Sequence, residues 1–264
     1  MSPDFARRYG PWALVTGASS GIGAGFARAL ARRGLNLVVV ARRRELLEGL
    51  ARELESANKV SVRPIAMDLA RDGAAGELAA SVADIEVGLL VNNAGTGWIG
   101  RFDLQDADEH SRLVHLHCVL PVELTALLLK PMEARRRGGI VLVSSAGAYV
   151  PMPYYAVYGG TKAFLAMWGE ALGAEVQSAG VDVLVLAPGD TKTGFQEVAG
   201  EMSTRWSAVE DVVEAGLAGL GRRPTVIPGL ENKAGLLILR FLPRGMVVRM
   251  MERRQRAQTP AARR

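Results

Sequence analysis

A short apolar run, WALVT at 12–16, feeds directly into the turn GASSGIG at 17–23, and a helical pattern follows to Arg33. Few backbones accept that order. Glycine is needed where the chain reverses tightly and where an anion must approach main-chain N–H groups. The start of the following helix adds unpaired N–H groups and the positive end of its dipole. Ser19 and Ser20 contribute hydroxyl donors beside Gly17, Gly21, Ile22 and Gly23. A glycine-rich turn can exist without a ligand, but strand, turn and helix in this sequence predict a site for a dinucleotide pyrophosphate.

The same alternation runs along the chain. Strand candidates lie at 36–40, 60–65, 88–91, 139–143, 181–186 and 225–227. LVVV, IVLV and VLVL are continuously apolar, the pattern of strands covered on both faces in a parallel sheet. Helical patterns occupy 44–57, 106–130 and 155–178. Right-handed crossovers then predict an α/β fold, a doubly wound Rossmann-type parallel sheet of about seven strands flanked by helices. Hydrophobic residues at 49% and charged residues at 22% supply its core and exclude disorder over most of the length. No repeat or linker interrupts it, so 1–230 reads as one domain and 231–264 as a helical basic extension packed on or following it.

Net charge is +5, and its location decides what it means. Residues 240–264 hold eight arginines against Glu252, while the other 24 basic and 26 acidic residues leave −2. No arginine-rich face is evident in the body, so a nucleic-acid partner is not expected. The segment ENKAGLLILRFLPRGMVVRMMERRQRA leaves three readings: a helical pair over the sheet edge, an oligomer surface, or an interfacial membrane helix. The first two are preferred. The start carries Asp4 and Arg7-Arg8 without an apolar core, unlike a secretory signal. Charge breaks the longest apolar stretches well before the ~18 residues a spanning helix needs. One cysteine, Cys118, excludes an internal disulfide and fits a reducing compartment, so a soluble cytoplasmic protein is expected.

After the second strand come Arg42-Arg43-Arg44 rather than the acidic residue that bonds a ribose 2′-hydroxyl in NAD sites. A guanidinium at Arg42 matches a 2′-phosphate, so NADP is preferred over NAD. Further on, Tyr158 and Lys162 stand four residues apart on one helix face. A phenol titrates near pH 10, and a neighbouring cation stabilises its phenolate and brings it towards the working range. Ser145 ends the IVLVSS strand thirteen residues before Tyr158, where it could hold a carbonyl oxygen.

With these residues in place the chain resembles the short-chain dehydrogenase/reductase family over about residues 10–230. TGASSGIG matches the family's TGxxxGxG, and Asn92-Asn93-Ala94-Gly95 its NNAG. Ser145, Tyr158 and Lys162 match its catalytic residues, and Asp68-Leu69 its adenine-contacting pair. Pro188-Gly189 with Thr191 and Thr193 matches the segment at the nicotinamide end. The resemblance implies hydride transfer between nicotinamide and a carbonyl or carbinol carbon. Tyr158 would exchange the proton, Ser145 orient the oxygen, and Lys162 tune Tyr158 and hold the nicotinamide ribose. It also implies a homodimer or homotetramer.

One position departs from that pattern. His117 stands where the family commonly has the asparagine of a proton relay, four residues before Pro121. Histidine can donate and accept, so it is either a relay member or a space-filling residue. His110, His115 and His117 do not have metal-ligand spacing with any acidic or cysteine cluster, so no metal is expected. Gly159-Gly160 inside a helix costs about 1 kcal/mol per glycine and reads mainly as tolerance. Trp98, Tyr149, Met152, Tyr155, Phe195, Met202 and Trp206 flank the expected substrate and suit a hydrophobic ketone or alcohol. A catalytically weak nucleotide sensor or scaffold on the same fold is the alternative.

Overall fold

The computed structural model describes residues 3–192 and 207–258. Seven strands form one sheet: β1 (Trp12–Thr16), β2 (Asn36–Ala41), β3 (Val62–Ala66), β4 (Val87–Asn92), β5 (Gly138–Val143), β6 (Val181–Leu186) and β7 (Thr225–Val226). All neighbours pair in parallel, in the order β3-β2-β1-β4-β5-β6-β7. The strand order reverses between β1 and β4, so the strand ends splay there and open a crevice.

The central strands are apolar throughout because both faces are covered. Phe26, Leu30 and Leu47 pack on one face with Val15, Val39 and Val141. They belong to α2 (Gly21–Ala31) and α3 (Arg44–Asn58). Leu78, Leu120 and Leu124 pack on the other face with Leu14, Val38 and Leu90. Each strand thus sends alternate side chains into two separate cores, which is why its sequence reads as one unbroken apolar run. Each fully buried leucine or phenylalanine contributes about 1.5–3 kcal/mol relative to exposure.

Among the described residues the remaining α-helices are α1 (Pro3–Tyr9), α4 (Ala74–Ala80), α5 (Ala107–Val114), α6 (Leu120–Ala134), α7 (Ala156–Val176), α8 (Val209–Gly219), α9 (Leu230–Arg240) and α10 (Arg244–Gln258). A π turn, His115–Val119, joins α5 to α6 where a regular helix was expected. Pro121 explains it. Proline has no N–H for the carbonyl four residues back, here His117, and its ring crowds that carbonyl. The backbone widens instead, and the Leu120 N–H reaches the His115 carbonyl.

Residues 107–134 also correct one expectation. They make a 28-residue helical stretch whose hydropathy reaches 1.5, long and apolar enough by composition to cross a bilayer. Leu113, His117, Leu120 and Leu124 are nonetheless buried along it. It packs on α4, α7, β4 and β5 as a layer of the fold.

The C-terminal segment is helical, breaks around Pro243 and begins with α9. It packs on a 3-10 turn, Ala146–Tyr149, directly after Ser145.

Candidate active site

The turn after β1 is shaped as its sequence predicted. Gly17 has φ +69°, and a Cβ there would lie 2.8 Å from the Ala94 Cα. At Gly23 a Cβ would lie 2.3 Å from the Gly17 carbonyl oxygen, so only glycine lets α2 start this close to the turn. Across the crevice, the Thr16 hydroxyl donates to the Val91 carbonyl (3.2 Å) and accepts from the N–H groups of Asn93 and Ala94, both at 3.0 Å. The Asn93 carboxamide donates to the Thr16 carbonyl at 2.9 Å. Thr16 and Asn93 therefore hold the ends of β1 and β4 in fixed register beneath the helix N-terminus.

Arg42 and Arg43 both line this crevice. The sequence pointed to Arg42. The structure adds Arg43, whose guanidinium donates to the Ser19 and Ser20 hydroxyls, each at 2.9 Å. Two hydroxyls and the Arg43 guanidinium thus meet at one side of the turn, and Arg42 lines the same crevice. Asp68 accepts from the Ala70 N–H and from Arg112, both at 3.0 Å, and these bonds hold its carboxyl below the usual range, the backbone bond most of all. Leu69 is buried beside it.

These residues open into a cavity of about 1020 Å³ that Ser145, Tyr158 and Lys162 also line. Ser145 ends the chain segment after β5, and its Oγ accepts from the Gly147 N–H at 3.1 Å. Its own proton is left to point elsewhere. Ser144, one residue earlier, faces the opposite way and donates to the Lys162 carbonyl at 2.7 Å, tying α7 to the strand end. The Lys162 ammonium donates to the Val143 carbonyl at 2.9 Å and stands 5.7 Å from the centre of the Tyr158 ring. Burial brings the Lys162 amine down to about 8, because no carboxylate repays its lost hydration.

His117 is wholly buried, and its ring has no nitrogen to spare. The Thr96 N–H donates to Nε2 at 3.1 Å, so that nitrogen carries no proton. The proton sits on Nδ1, which donates to the Thr161 hydroxyl at 2.9 Å; that hydroxyl donates in turn to the Tyr158 carbonyl at 2.8 Å. Desolvation, helped by Lys162, pushes the imidazole well below its usual range, so it is neutral at physiological pH. The ring is a brace between the loop after β4 and the helix carrying Tyr158. The sequence left two roles open for His117, relay member or space-filling residue, and these two bonds add a positional one. A Cβ on Gly95 would lie 2.9 Å from Nε2, which fixes glycine there as well.

The other two histidines sit apart: His110 contacts the Phe102 carbonyl at 3.1 Å, and His115 lies 3.4 Å from Asp72. Among the described residues no three metal-ligating side chains converge.

Pro188, Gly189 and Thr191 line the same cavity, and the Thr191 hydroxyl donates to the Gly189 carbonyl at 3.0 Å. Thr193, Phe195, Met202 and Trp206 lie outside the described residues. Trp98, Met152 and Tyr155 line the cavity as expected, whereas Tyr149 is 37% exposed and does not. A Cβ at Gly159 would lie 3.2 Å from the Met152 Cβ, a tight contact that this side chain would have to relieve by a few tenths of an ångström, while Gly160 faces open space.

The family model of short chain dehydrogenase matches residues 11–204, which spans every motif above up to Thr191. The chain belongs to the short-chain dehydrogenase family. Human 17-beta-hydroxysteroid dehydrogenase type 3 is 38% identical over 190 residues, which are 71% of this chain and 61% of that protein. The chain thus matches about three fifths of that relative's length. A very-long-chain 3-oxoacyl-CoA reductase of Phaeosphaeria nodorum is 35% identical over 81% of this chain and 64% of its own. Among solved structures, a short-chain dehydrogenase of Sphingobium yanoikuyae in complex with NADPH superimposes with a TM-score of 0.80 at 30% identity, over 89% of this chain and 97% of its own. The bulky-bulky ketone specific alcohol dehydrogenase of Comamonas testosteroni does so with 0.77 at 32%, over 89% and 96%. These relatives and neighbours are named as dehydrogenases and reductases, one of them in complex with NADPH.

Sequence reasoning missed one wall of the site. Asn232, Leu236 and Leu239 of α9 and Met251 of α10 line the cavity. The Asn232 carboxamide donates to the Pro228 carbonyl at 2.8 Å and fills the space beside Gly189, where a Cβ would lie 2.5 Å from its nitrogen. Arg254 lies 3.7 Å from Asp190, and Arg256 donates to the Tyr154 hydroxyl at 3.0 Å. Positions 232, 235, 236 and 239 do share one helix face, a signal that could have found this wall.

Proposed function

We propose that the chain is an NADP(H)-dependent oxidoreductase of bulky hydrophobic ketones and the corresponding secondary alcohols. One observation carries this reading: the cavity walled by Ser145, Tyr158 and Lys162 is continuous with the glycine cradle at the start of α2. The cradle fits the cofactor, since a Cβ at Gly17 or Gly23 would collide with backbone and the helix N-terminus faces the same space. Gly17, Gly21 and Ile22 would hold the pyrophosphate, Ser19, Ser20, Arg42 and Arg43 a 2′-phosphate, and Asp68 and Leu69 the adenine. Asn93, Ala94, Gly95 and Pro188 would flank the nicotinamide half. Bound there, the cofactor supplies or accepts the hydride.

The chain's own residues handle the oxygen. Because Ser145 Oγ already accepts from Gly147, its proton is free to donate to a carbonyl oxygen. Tyr158 donates the second hydrogen bond and gives up its proton as the oxygen becomes an alkoxide. Lys162, one proton committed to Val143, has two left that would serve the phenol and the nicotinamide ribose. Its charge stabilises the phenolate left behind. In alcohol oxidation the proton runs the other way.

Two observations support the cofactor and substrate assignments. Guanidinium groups with two serine hydroxyls match a phosphate dianion better than a ribose hydroxyl. Trp98, Met152, Tyr155, Leu236, Leu239 and Met251 supply the apolar part of a mixed lining, where a bulky ketone would rest. The test is NADPH consumption against a panel of ketones of increasing bulk, repeated with NADH. Turnover that favours bulky apolar ketones and NADPH supports the assignment. NADPH binding without turnover on any ketone would make the chain a nucleotide sensor.

A further inference from the structure

The two C-terminal helices carry a second apolar surface, on the side away from the cavity. On α9, Leu230, Ala234, Leu237, Ile238 and Phe241 recur at helical spacing, opposite the face that bears Asn232, Leu236 and Leu239. Leu230, Ile238 and Phe241 are 83%, 63% and 79% exposed. On α10 the inner positions Val247 and Met251 face the body, while Met246 and Met250 stand exposed on the other side.

The arginines divide in the same way. Arg254 and Arg256, noted above, tie the helices to the body through Asp190 and Tyr154. Arg240, Arg244, Arg249 and Arg253 are exposed, and none of the four has an ion pair among the described residues. The two helices therefore expose large apolar side chains together with four arginines that lack an ion pair among the described residues. Residues 240–264 are net +7 where the rest of the chain is net −2.

We infer that the outer face of α9 and α10 is a docking surface for an anionic lipid bilayer. Leu237, Ile238, Phe241, Met246 and Met250 would enter the headgroup–acyl boundary while the four arginines meet lipid phosphates. Charge selects this occupant over a second copy of the chain, because two such faces would bring eight unpaired arginines together. Nucleic acid would use the arginines but leave Phe241 and Ile238 exposed. Bound this way, α9 lies between bilayer and cavity, with one apolar face on each. An apolar molecule dissolved in the lipid would then meet the cavity wall without crossing bulk water. The docking itself does not depend on the proposed reaction.

The experiment is co-sedimentation of the full chain with vesicles of phosphatidylcholine alone and with phosphatidylglycerol added, at low and high salt. Binding is expected only with the anionic lipid and is expected to weaken as salt rises. Ile238→Glu/Phe241→Glu and, separately, Arg249→Glu/Arg253→Glu should each lower the partition coefficient by about ten-fold or more. Circular dichroism and NADPH binding, measured on both variants, confirm that they fold. Wild-type protein that stays in the supernatant with anionic vesicles at low salt overturns the inference. So does binding that Ile238→Glu/Phe241→Glu leaves intact, since that is charge alone. A solution dimer that this same variant splits into monomers would assign the face to a second copy.

Discussion

His117→Leu isolates the brace. Leucine nearly matches imidazole in bulk, so the change removes polarity with little cavity. The ring's two hydrogen bonds, from the Thr96 N–H and to the Thr161 hydroxyl, disappear. Two bonds at about 1 kcal/mol each, with the cost of an unpaired Thr96 N–H, give a loss of about 3 kcal/mol. For a domain of this size that lowers the midpoint of thermal unfolding by about 6–12 °C. Release of the Tyr158 helix should cut kcat about ten- to a hundred-fold, with little change in KM for NADPH.

The variant also has a pH signature. In the wild type the unfolded imidazole takes up a proton as pH drops below about 6.5, while the folded one resists it because it is buried. The unfolded state then binds more protons, so stability falls with falling pH through that window, by about 1.4 kcal/mol between pH 7.5 and 5.5 from this residue alone. His117→Leu removes that component. His117→Asn reaches only the inner contact and should recover part of the stability. Chemical denaturation at the two pH values measures both effects. A Leu variant with unchanged midpoint and kcat, or with the full acid sensitivity retained, would refute the brace.

Three further outcomes follow. Arg42→Asp should weaken NADPH binding by about 2–3 kcal/mol while changing NADH less than a few-fold, read by fluorescence titration; equal losses would show that the basic cluster does not read the phosphate. The Lys162 amine lies near 8, so kcat/KM for ketone reduction should fall as pH rises through about 8, when the charge beside Tyr158 is lost; a rate flat from 7 to 9 contradicts that. Gly23→Ala must force a Cβ against the Gly17 carbonyl, so calorimetry should show NADPH binding lost or weakened at least ten-fold.

What was legible in the sequence is what local geometry alone dictates. Gly17 and Gly23 announce a backbone approach, and continuous apolar strands announce a sheet with two covered faces. Tyr158 and Lys162 share a helix face by spacing alone. Residues whose role arises only from tertiary contact were not legible. Ser144 and Thr161 look like neighbours of catalytic groups until their bonds to Lys162 and Tyr158 are seen. Arg43 gave no sign that it would bond Ser19 and Ser20, more than twenty residues away. The π turn could have been inferred, since Pro121 removes the donor for the His117 carbonyl, but the helical periodicity hid it. The inner face of α9 was masked by its outer one: two apolar stripes on one helix blur into uniform hydrophobicity.

The most direct test of the central claim is the rate of NADPH oxidation by Tyr158→Phe with a reducible bulky ketone. Phenylalanine keeps the ring against Tyr155 and His117 and removes the phenolic hydroxyl. The account expects NADPH affinity to persist and turnover to fall about a hundred-fold or more. Turnover near the wild-type rate would show that the proton comes from elsewhere.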